Sequence, residues 1–238
     1  MQRAATIDFQ SREPAEWTPD PRASRRANKA SSRLISQQAR QINGALTKRA
    51  LDVTIAATII LLALPMFIVV ALLIKIDSPG PIFFRQKRYG IGRQPFEILK
   101  FRSMTVQEST GGFRQAAAND DRVTRIGRFM RRSSIDEAPQ LINVLLGDMS
   151  LVGPRPHAMA MDDTYEDVVT NYPDRFLVRP GLTGLAQITG YRGPTDTLEK
   201  ISRRVARDRV YIRRWSPLLD VAILARTPAS LVRDPNAL

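Results

Sequence analysis

The stretch from Val53 to Ile74, VTIAATIILLALPMFIVVALLI, carries no charged side chain. As a straight helix it rises about 33 Å, against a bilayer hydrocarbon core of about 30 Å. Pro65 stands near its middle and removes a backbone hydrogen bond. Lys48 and Arg49 precede the run, and Lys75, Arg85, Lys87 and Arg88 follow it. A spanning helix gathers Lys and Arg mainly on its cytoplasmic side. Positive charge at both ends therefore suits a re-entrant hairpin that breaks at Pro65 and enters and leaves by one face. A straight span is the alternative, because proline is tolerated in spanning helices. A buried core helix suits this length and polarity least.

Residues 1–45 differ from the rest. They are rich in Arg, Ser, Ala and Gln, with few large apolar residues, and read as a disordered basic tail with at most a short helix near Leu34 to Ile42. No secretory signal fits, since the apolar run starts late and is too long. The expected division is thus a tail over 1–45, a re-entrant membrane helix over 46–76 and a cytoplasmic domain over 77–238. The net charge of +13, from 36 Lys+Arg against 23 Asp+Glu, points to a polyanionic partner. The apolar run favours anionic membrane lipid over nucleic acid, for which no motif is present. The chain has no cysteine and one histidine, His157. That excludes a disulfide framework, a thiol nucleophile and zinc sites built on His and Cys. Any metal must take oxygen ligands, as Mg²⁺ or Mn²⁺ does.

Asp77-Ser78-Pro79-Gly80-Pro81 ends the membrane element. Ile82 to Arg85 and Phe96 to Met104 read as strands of a hairpin around Tyr89-Gly90-Ile91-Gly92-Arg93, and residues 105–121 as a loop. Val123 to Arg132 reads as a basic helix. In Asp136 to Leu145, the residues Ala138, Leu141, Ile142 and Leu145 form one apolar stripe, ended by Gly147. Val152-Gly153-Pro154-Arg155-Pro156 and Arg179-Pro180-Gly181-Leu182-Thr183-Gly184 are rigid loops. Met159 to Asn171 and Leu198 to Arg213 read as helices, and Leu218 to Leu231, with Pro228 inside, as a membrane-interface helix. The fold class is α+β, mainly helical.

Chemistry concentrates in a few places. Pro139 fits only a first helical turn, which puts a helix start at or just before Asp136. Asp136 is then an N-cap, or Ser134 is, with Ser134 and Glu137 as a capping box. The other reading is catalytic: a carboxylate kept ionised by the positive helix end attacks a phosphorus centre, and its neighbour holds a divalent metal. Arg155 and Arg179 sit in rigid loops suited to phosphate, or else pair with a helix C-terminus or a carboxylate. Lys100 and Arg102 share one face of a strand, available to phosphate or simply solvated. Gly90-x-Gly92 is a weak phosphate-loop signal, and His157 reads as a packing or loop residue.

Taken together, Lys48-Arg49-x-Leu51-Asp52, Leu99-Lys100-Phe101-Arg102-Ser103-Met104, Ser134-Ile135-Asp136-Glu137-x-Pro139-Gln140-Leu141-x-Asn143-Val144-Leu145, Gly147 to Pro156 and Val178 to Gly184 resemble the bacterial sugar transferases, the monotopic phosphoglycosyl transferases. The resemblance runs in order from about Lys48 to Thr227. It implies transfer of a sugar-1-phosphate from a UDP-sugar to undecaprenyl phosphate with release of UMP, the first step of exopolysaccharide assembly. It also implies a re-entrant membrane helix, Mg²⁺, a location on the cytoplasmic face of the bacterial inner membrane, and an Asp136–Glu137 catalytic pair. In that scheme Asp136 is the nucleophile, Glu137 holds the metal, and Lys100, Arg102, Arg155 and Arg179 bind phosphates. Asp208 matches an acidic position in relatives. Many relatives have Ser-Pro at the helix break where this chain has Leu64-Pro65, so Thr58 is the hydroxyl expected to support the bend.

Pro156-His157-Ala158, Gly190 to Lys200 and Tyr211 to Ser216 resemble the undecaprenyl-phosphate glucose phosphotransferases. They make UDP-glucose the first expected donor and UDP-galactose the second, with this chain as the short form without the N-terminal spans of many relatives. The rival reading is a non-catalytic membrane-surface adaptor that binds anionic lipid through its basic face. Either reading leaves room for a homo-oligomer.

Overall fold

The structure is a computed structural model that describes residues 21–105, 120–193, 195 and 197–233. The expected tail over residues 1–20 and most of the expected loop over 105–121 lie outside the described residues. The architecture is mainly helical with two small sheets, α+β as the sequence indicates.

Helix α1 (Pro21–Gly44) corrects the reading of residues 21–44 as disordered. Ile35, Ala39 and Ile42, one helical stripe, are buried in the main core, and α1 packs on the last long Arg-rich helix. The sequence showed a helix only over Leu34 to Ile42, where those three residues lie.

Helix α2 (Leu46–Asp77) follows after Ala45 and is helical throughout, with Pro65 inside it. Among the described residues it is the one helix long and apolar enough to cross a membrane, with a mean hydropathy of 3.0 over its most apolar window and 11% of that window buried. Thr58 does not support a bend at Pro65; its hydroxyl donates to Thr54 O, one turn back, at 2.8 Å. Both ends of α2 are fixed to the same body by polar contacts. At the start, Lys48 Nζ donates to Val152 O (3.1 Å) and to Asp220 Oδ2 (2.8 Å), and Asp52 Oδ1 accepts from Leu151 N (3.0 Å). Arg49 donates to Val144 O and Leu145 O at 2.6 and 2.8 Å. Lys48 and Arg49 therefore face the protein and are not free flanking charges. At the other end Arg102 donates to the carbonyls of Ile74, Ser78 and Pro79. Phe67, Val70 and Ile74 pack there on Phe101 and Met130.

Strands β1 (Phe83–Tyr89) and β2 (Pro95–Phe101) form the expected antiparallel hairpin, closed by a 3-10 turn at Ile91–Arg93. Arg93 pairs with Asp163 and Glu166, so the Gly90-x-Gly92 loop is tied to a neighbouring helix by the residue after it. Helix α3 (Arg125–Ser133) is capped by Thr124, whose side chain accepts from Gly127 N at 2.9 Å. Helix α4 (Gln140–Leu146) ends at Gly147, at φ +95° in the left-handed region as a glycine stop requires.

The two Pro/Gly loops do more than stay rigid. Strand β3 (Ser150–Val152) and strand β4 (Gly181–Thr183) pair in parallel at their roots, with α5 (Met159–Val168) and the 3-10 turn Tyr172–Leu177 between them. Gly153 N donates to Thr183 O and Gly181 N to Pro154 O, each at 2.9 Å. A Cβ on Gly181 would overlap Gly153 N and lie 2.5 Å from Thr183 O. Glycine is needed here for close backbone approach. Then come α6 (Leu185–Ile188), α7 (Leu198–Arg214) and α8 (Pro217–Arg233). Asp220 of α8 collects Lys48, Tyr211 Oη (2.9 Å) and Trp215 Nε1 (3.0 Å), and so joins α2, α7 and α8.

Gly181→Ala is expected to cost about 1–3 kcal/mol, the usual range for forcing a methyl into packed surroundings. Gly44→Ala, with nothing within 4 Å of the added carbon, serves as the control and is expected to be near neutral. Thermal unfolding of both variants measures this, and a native midpoint for Gly181→Ala would refute the packing argument.

Candidate active site

Asp136 and Glu137 lie in a 3-10 turn, Ile135–Glu137, between α3 and α4. Pro139 is the reason. It has no N–H, so the α-helical ladder opens only beyond it, and the bonds before it are short-range: Glu137 N to Ser134 O at 3.2 Å and Ala138 N to Ile135 O at 3.0 Å. The α-helix thus starts at Gln140, later than the sequence indicates. Ser134 occupies the left-handed region at φ +58° and its side chain makes no capping bond, which removes the capping-box reading. Its Oγ instead accepts from Arg192 Nη2 at 2.7 Å.

The buried face of α4 also differs from the apolar stripe. Gln140, Leu141, Asn143 and Val144 are buried, while Ala138, Ile142 and Leu145 are only partly so. Asn143 explains the rotation. Its Oδ1 accepts from Leu99 N (2.9 Å) and its Nδ2 donates to Glu97 O (2.7 Å), which fastens α4 to the edge of β2. That contact sets Lys100 beside the dyad. Asn143 lies outside that stripe, so the apolar pattern gave no signal for it.

Glu137 is locked. Lys100 Nζ donates to Oε1 at 2.9 Å, and Arg155 grips both oxygens, Nη1 to Oε2 at 2.9 Å and Nη2 to Oε1. Burial alone would raise its pKa, but the charges of Arg155 and Lys100 outweigh it and hold the carboxyl well below its ordinary value. Asp136 is in the opposite state. Burial, and then the negative charge of Glu137, push its pKa up to about 6, against the opposing charges of Lys100, Arg131 and Arg155. The expectation that the helix end keeps Asp136 firmly ionised is thereby corrected, since no α-helix begins there to supply the field. Two adjacent carboxylates with divergent titration are a mark of acid, base or nucleophile assignments.

Of the other candidates, Lys100 and Arg155 are brought to the dyad and three are not. Arg102 is buried at the C-terminal end of α2, held by three carbonyls, and is corrected from a phosphate ligand to an anchor of that helix. Arg179 donates through Nε to Gly147 O (2.9 Å), just past the far end of α4, which is the helix-C-terminus alternative rather than a phosphate site at the dyad. Asp208 is buried against Arg175, Oδ2 accepting from Nε at 2.9 Å, and Arg175 in turn donates to Arg155 O. Asp208 therefore stands behind Arg155 and not against the dyad. Missing from the sequence reading were Arg192, Arg131, whose charge bears on Asp136, and Arg88, whose pKa is lowered to about 10 by burial and by Arg155. Nothing in the local sequence separates these three from the chain's many other arginines.

Among the described residues no group of three or more His, Asp or Glu side chains could hold a metal ion. Glu137, the expected metal ligand, already accepts three hydrogen bonds from Lys100 and Arg155. Of the two dyad carboxylates, Asp136 is the one with no ion pair among the described residues. Mg²⁺ is commonly held through one or two carboxylates together with water and substrate phosphates, a mode for which Asp136 is the available carboxylate of the pair.

The bacterial sugar transferase family profile matches residues 43–234. A UDP-glucose:undecaprenyl-phosphate glucose-1-phosphate transferase of Caulobacter vibrioides is 53% identical over 81% of this chain and 72% of its own length. The Escherichia coli protein of the same name is 51% identical over 76% of this chain, which spans 39% of that longer relative. An exopolysaccharide production protein of Rhizobium leguminosarum is 46% identical over 77% of this chain and 94% of its own length. This chain belongs to the bacterial sugar transferase family.

Asp136 makes a prediction for stability. Folded, it keeps its proton to about pH 6; its ordinary value is 3.8. The folded state binds more protons than the unfolded one in this window, so the group's contribution falls as pH rises through it. Asp136→Asn removes a charge that the fold disfavours. Its Tm is expected to exceed the native value at pH 7.5, with the gap closing toward pH 4. A lower Tm at pH 7.5 would instead make Asp136 a structural cap.

Proposed function

We propose that this protein transfers a sugar-1-phosphate, with glucose-1-phosphate as first candidate, from a UDP-sugar to undecaprenyl phosphate, releasing UMP as the first step of exopolysaccharide assembly. The observation that carries the reading is the contrast within the dyad. Glu137 is immobilised by Arg155 and Lys100, while Asp136 is left without an ion pair among the described residues and within the field of Lys100, Arg131 and Arg155. The names of relatives at about half identity support the same chemistry.

In this scheme an Asp136 carboxylate oxygen attacks the sugar-bearing phosphorus of the UDP-sugar. The bond from that phosphorus to the bridging oxygen breaks, and the oxygen leaves with UMP. A phosphate oxygen of undecaprenyl phosphate then attacks the same phosphorus, forming the lipid diphosphate sugar and returning Asp136 to its carboxylate. Lys100, Arg131 and Arg155 stabilise the charge that gathers on the phosphoryl oxygens and on the leaving UMP. Glu137 holds Arg155 and Lys100 in place. Asp136, with Glu137 as the expected second ligand, would hold a Mg²⁺ ion, which would supply further charge neutralisation.

A lipid-binding adaptor is less well supported. Lys48, Arg49, Arg102, Arg155, Arg175 and Arg204 are turned inward onto carboxylates, carbonyls and His157, not outward to a membrane surface.

For the membrane, we propose that α2 enters and leaves by the cytoplasmic face of the inner membrane, bending at Pro65. In support, both of its ends are bonded to one domain, and a straight helix of its length would measure about 48 Å, well beyond the hydrocarbon core. Exposed Phe129 on α3, Leu146 on α4 and Leu218 on α8 suit contact with the same interface.

Purified protein given undecaprenyl phosphate and a panel of UDP-sugars should release UMP, fastest with UDP-glucose, and Asp136→Asn should bring release to background while remaining folded. Activity should fall as pH drops below about 6, where Asp136 takes up its proton. Retention of more than a few per cent of the rate in folded Asp136→Asn would remove it as nucleophile. Excess EDTA should abolish turnover and added Mg²⁺ or Mn²⁺ restore it; full activity in chelator would exclude the metal.

Single cysteines at Thr47 and Ser78, in a chain with none of its own, test the topology. Both should be shielded from an impermeant thiol reagent in intact cells and labelled once the cells are permeabilised. Labelling of one alone in intact cells would mean a span.

A further inference from the structure

The chain's single histidine is held between two guanidinium groups. His157 Nδ1 lies 2.8 Å from Tyr172 Oη and 3.0 Å from Arg175 Nη1, and Nε2 lies 2.9 Å from Arg204 Nη1. A guanidinium only donates. Nε2 is therefore the acceptor for Arg204, and the proton sits on Nδ1, directed at Tyr172 Oη. Tyr172 passes its own proton to Asp162 Oδ1 at 2.6 Å, and its second lone pair takes Arg175 Nη1 at 2.8 Å. This tautomer of a neutral imidazole satisfies Arg204, Tyr172 and Asp162, and Arg175 bonds Tyr172 Oη rather than the ring, its 3.0 Å approach to Nδ1 being a contact without a hydrogen bond. Burial, and then the charges of Arg175 and Arg204, hold the ring's pKa well below 6.5, in keeping with that neutral form.

The same two arginines bond two chain segments that each send an arginine toward the dyad turn. Arg175 Nη2 donates to Arg155 O, and the Arg155 side chain grips Glu137. Arg204 Nη2 donates to Gly193 O at 2.5 Å; the preceding residue, Arg192, donates to Ser134 Oγ, two positions before Asp136. Arg175 and Arg204 cannot approach each other directly, because like charges in a buried site repel. A neutral ring that accepts from Arg204 on one edge and meets Arg175 through the shared Tyr172 Oη on the other lets them stand side by side.

We propose that His157 is a positioning residue that ties the Arg155 loop to the Arg192 segment through Arg175 and Arg204, fixing the separation of the two guanidinium groups that flank the dyad. It rests on the sugar-phosphate transfer proposed above, in which that separation would match the diphosphate of the nucleotide sugar. His157 touches neither carboxylate of the dyad, so its effect belongs to the rate of the transfer step and not to the chemistry of the nucleophile.

The test uses His157→Gln, His157→Asn and His157→Phe in the full chain. A Gln amide reaches the place of Nε2 and can accept from Arg204, whereas Asn reaches only the place of Nδ1. The expected result is a kcat within a few-fold of native for Gln. For Asn and Phe kcat should fall on the order of 100-fold, the usual cost of a misplaced reacting geometry, with KM for UDP-glucose changed far less. Amide hydrogen exchange should quicken in both Ser134–Glu137 and Gly153–Ala158 in the Asn and Phe variants and stay native in Gln. Native kcat in folded Asn and Phe variants would overturn the proposal, as would equal losses in Gln and Asn, or faster exchange confined to one segment. If Phe fails to fold, the Gln and Asn pair decides. If the native protein releases no UMP from any donor, the transfer reading fails by itself, and the exchange comparison still decides whether His157 joins the two segments.

Discussion

A helix whose apolar surface is turned outward has little left with which to hold its own domain. In α2 the answer is polar contact at both ends. Lys48 and Asp52 are buried against Asp220 and the β3 backbone, Arg49 closes the last carbonyls of α4, and Arg102 closes the last carbonyls of α2 itself. Arg49 and Arg102 answer carbonyls that helix ends leave unpaired, and Lys48 and Asp52 answer backbone groups of β3. Because these bonds are buried, losing one partner costs more than the bond is worth on average. The whole domain is arranged around them: Asp220 sets α8 against α7, Arg49 sets α4, and Arg102 sets the end of β2.

That arrangement leads directly to the site. With α4 fixed by Arg49 at its C-terminal end and by Asn143 to β2, the 3-10 turn at its N-terminal side has one place to go, beside Lys100. The close approach of Gly153 and Gly181 then sets the root of the loop that brings Arg155 to Glu137. The dyad becomes asymmetric through geometry alone. Both carboxylates share one low-dielectric setting, but the strongest donors reach only Glu137, so Asp136 takes the burden of burial and of its neighbour's charge.

Much of this was legible in the chain. The apolar run, the hairpin, the basic helix and the glycine stop after α4 follow from local pattern, and the Asp136–Glu137 pair with Arg155 was visible from motif spacing. The arginines were not separable in this way. Arg102, Arg155 and Arg179 sit in comparable stretches, yet one grips the dyad and two close helix ends, because which carbonyls or carboxylates they meet is set by chain segments far away in sequence. The ordered length of α1 was missed for a related reason. Its polar composition signals no core, and three residues on one stripe become a core only when α7 and the main cluster are present to receive them.

By itself the sequence determined the chemical inventory: a segment apolar enough to leave water, no thiol, one histidine, two adjacent carboxylates and, beside them, a proline confined to a first helical turn. Those are properties of residue type and local backbone, and need no partner. The tertiary structure decided how that inventory is used. It turned Lys48 and Arg49 from flanking charges into buried anchors, set Asp136 and Glu137 at opposite ends of the carboxylate range, and placed the histidine as an acceptor for Arg204 with a neighbouring arginine on its other edge. Pairing, burial and hydrogen-bond direction arise between segments that meet only in the folded chain, and the charge state of a side chain depends on all three.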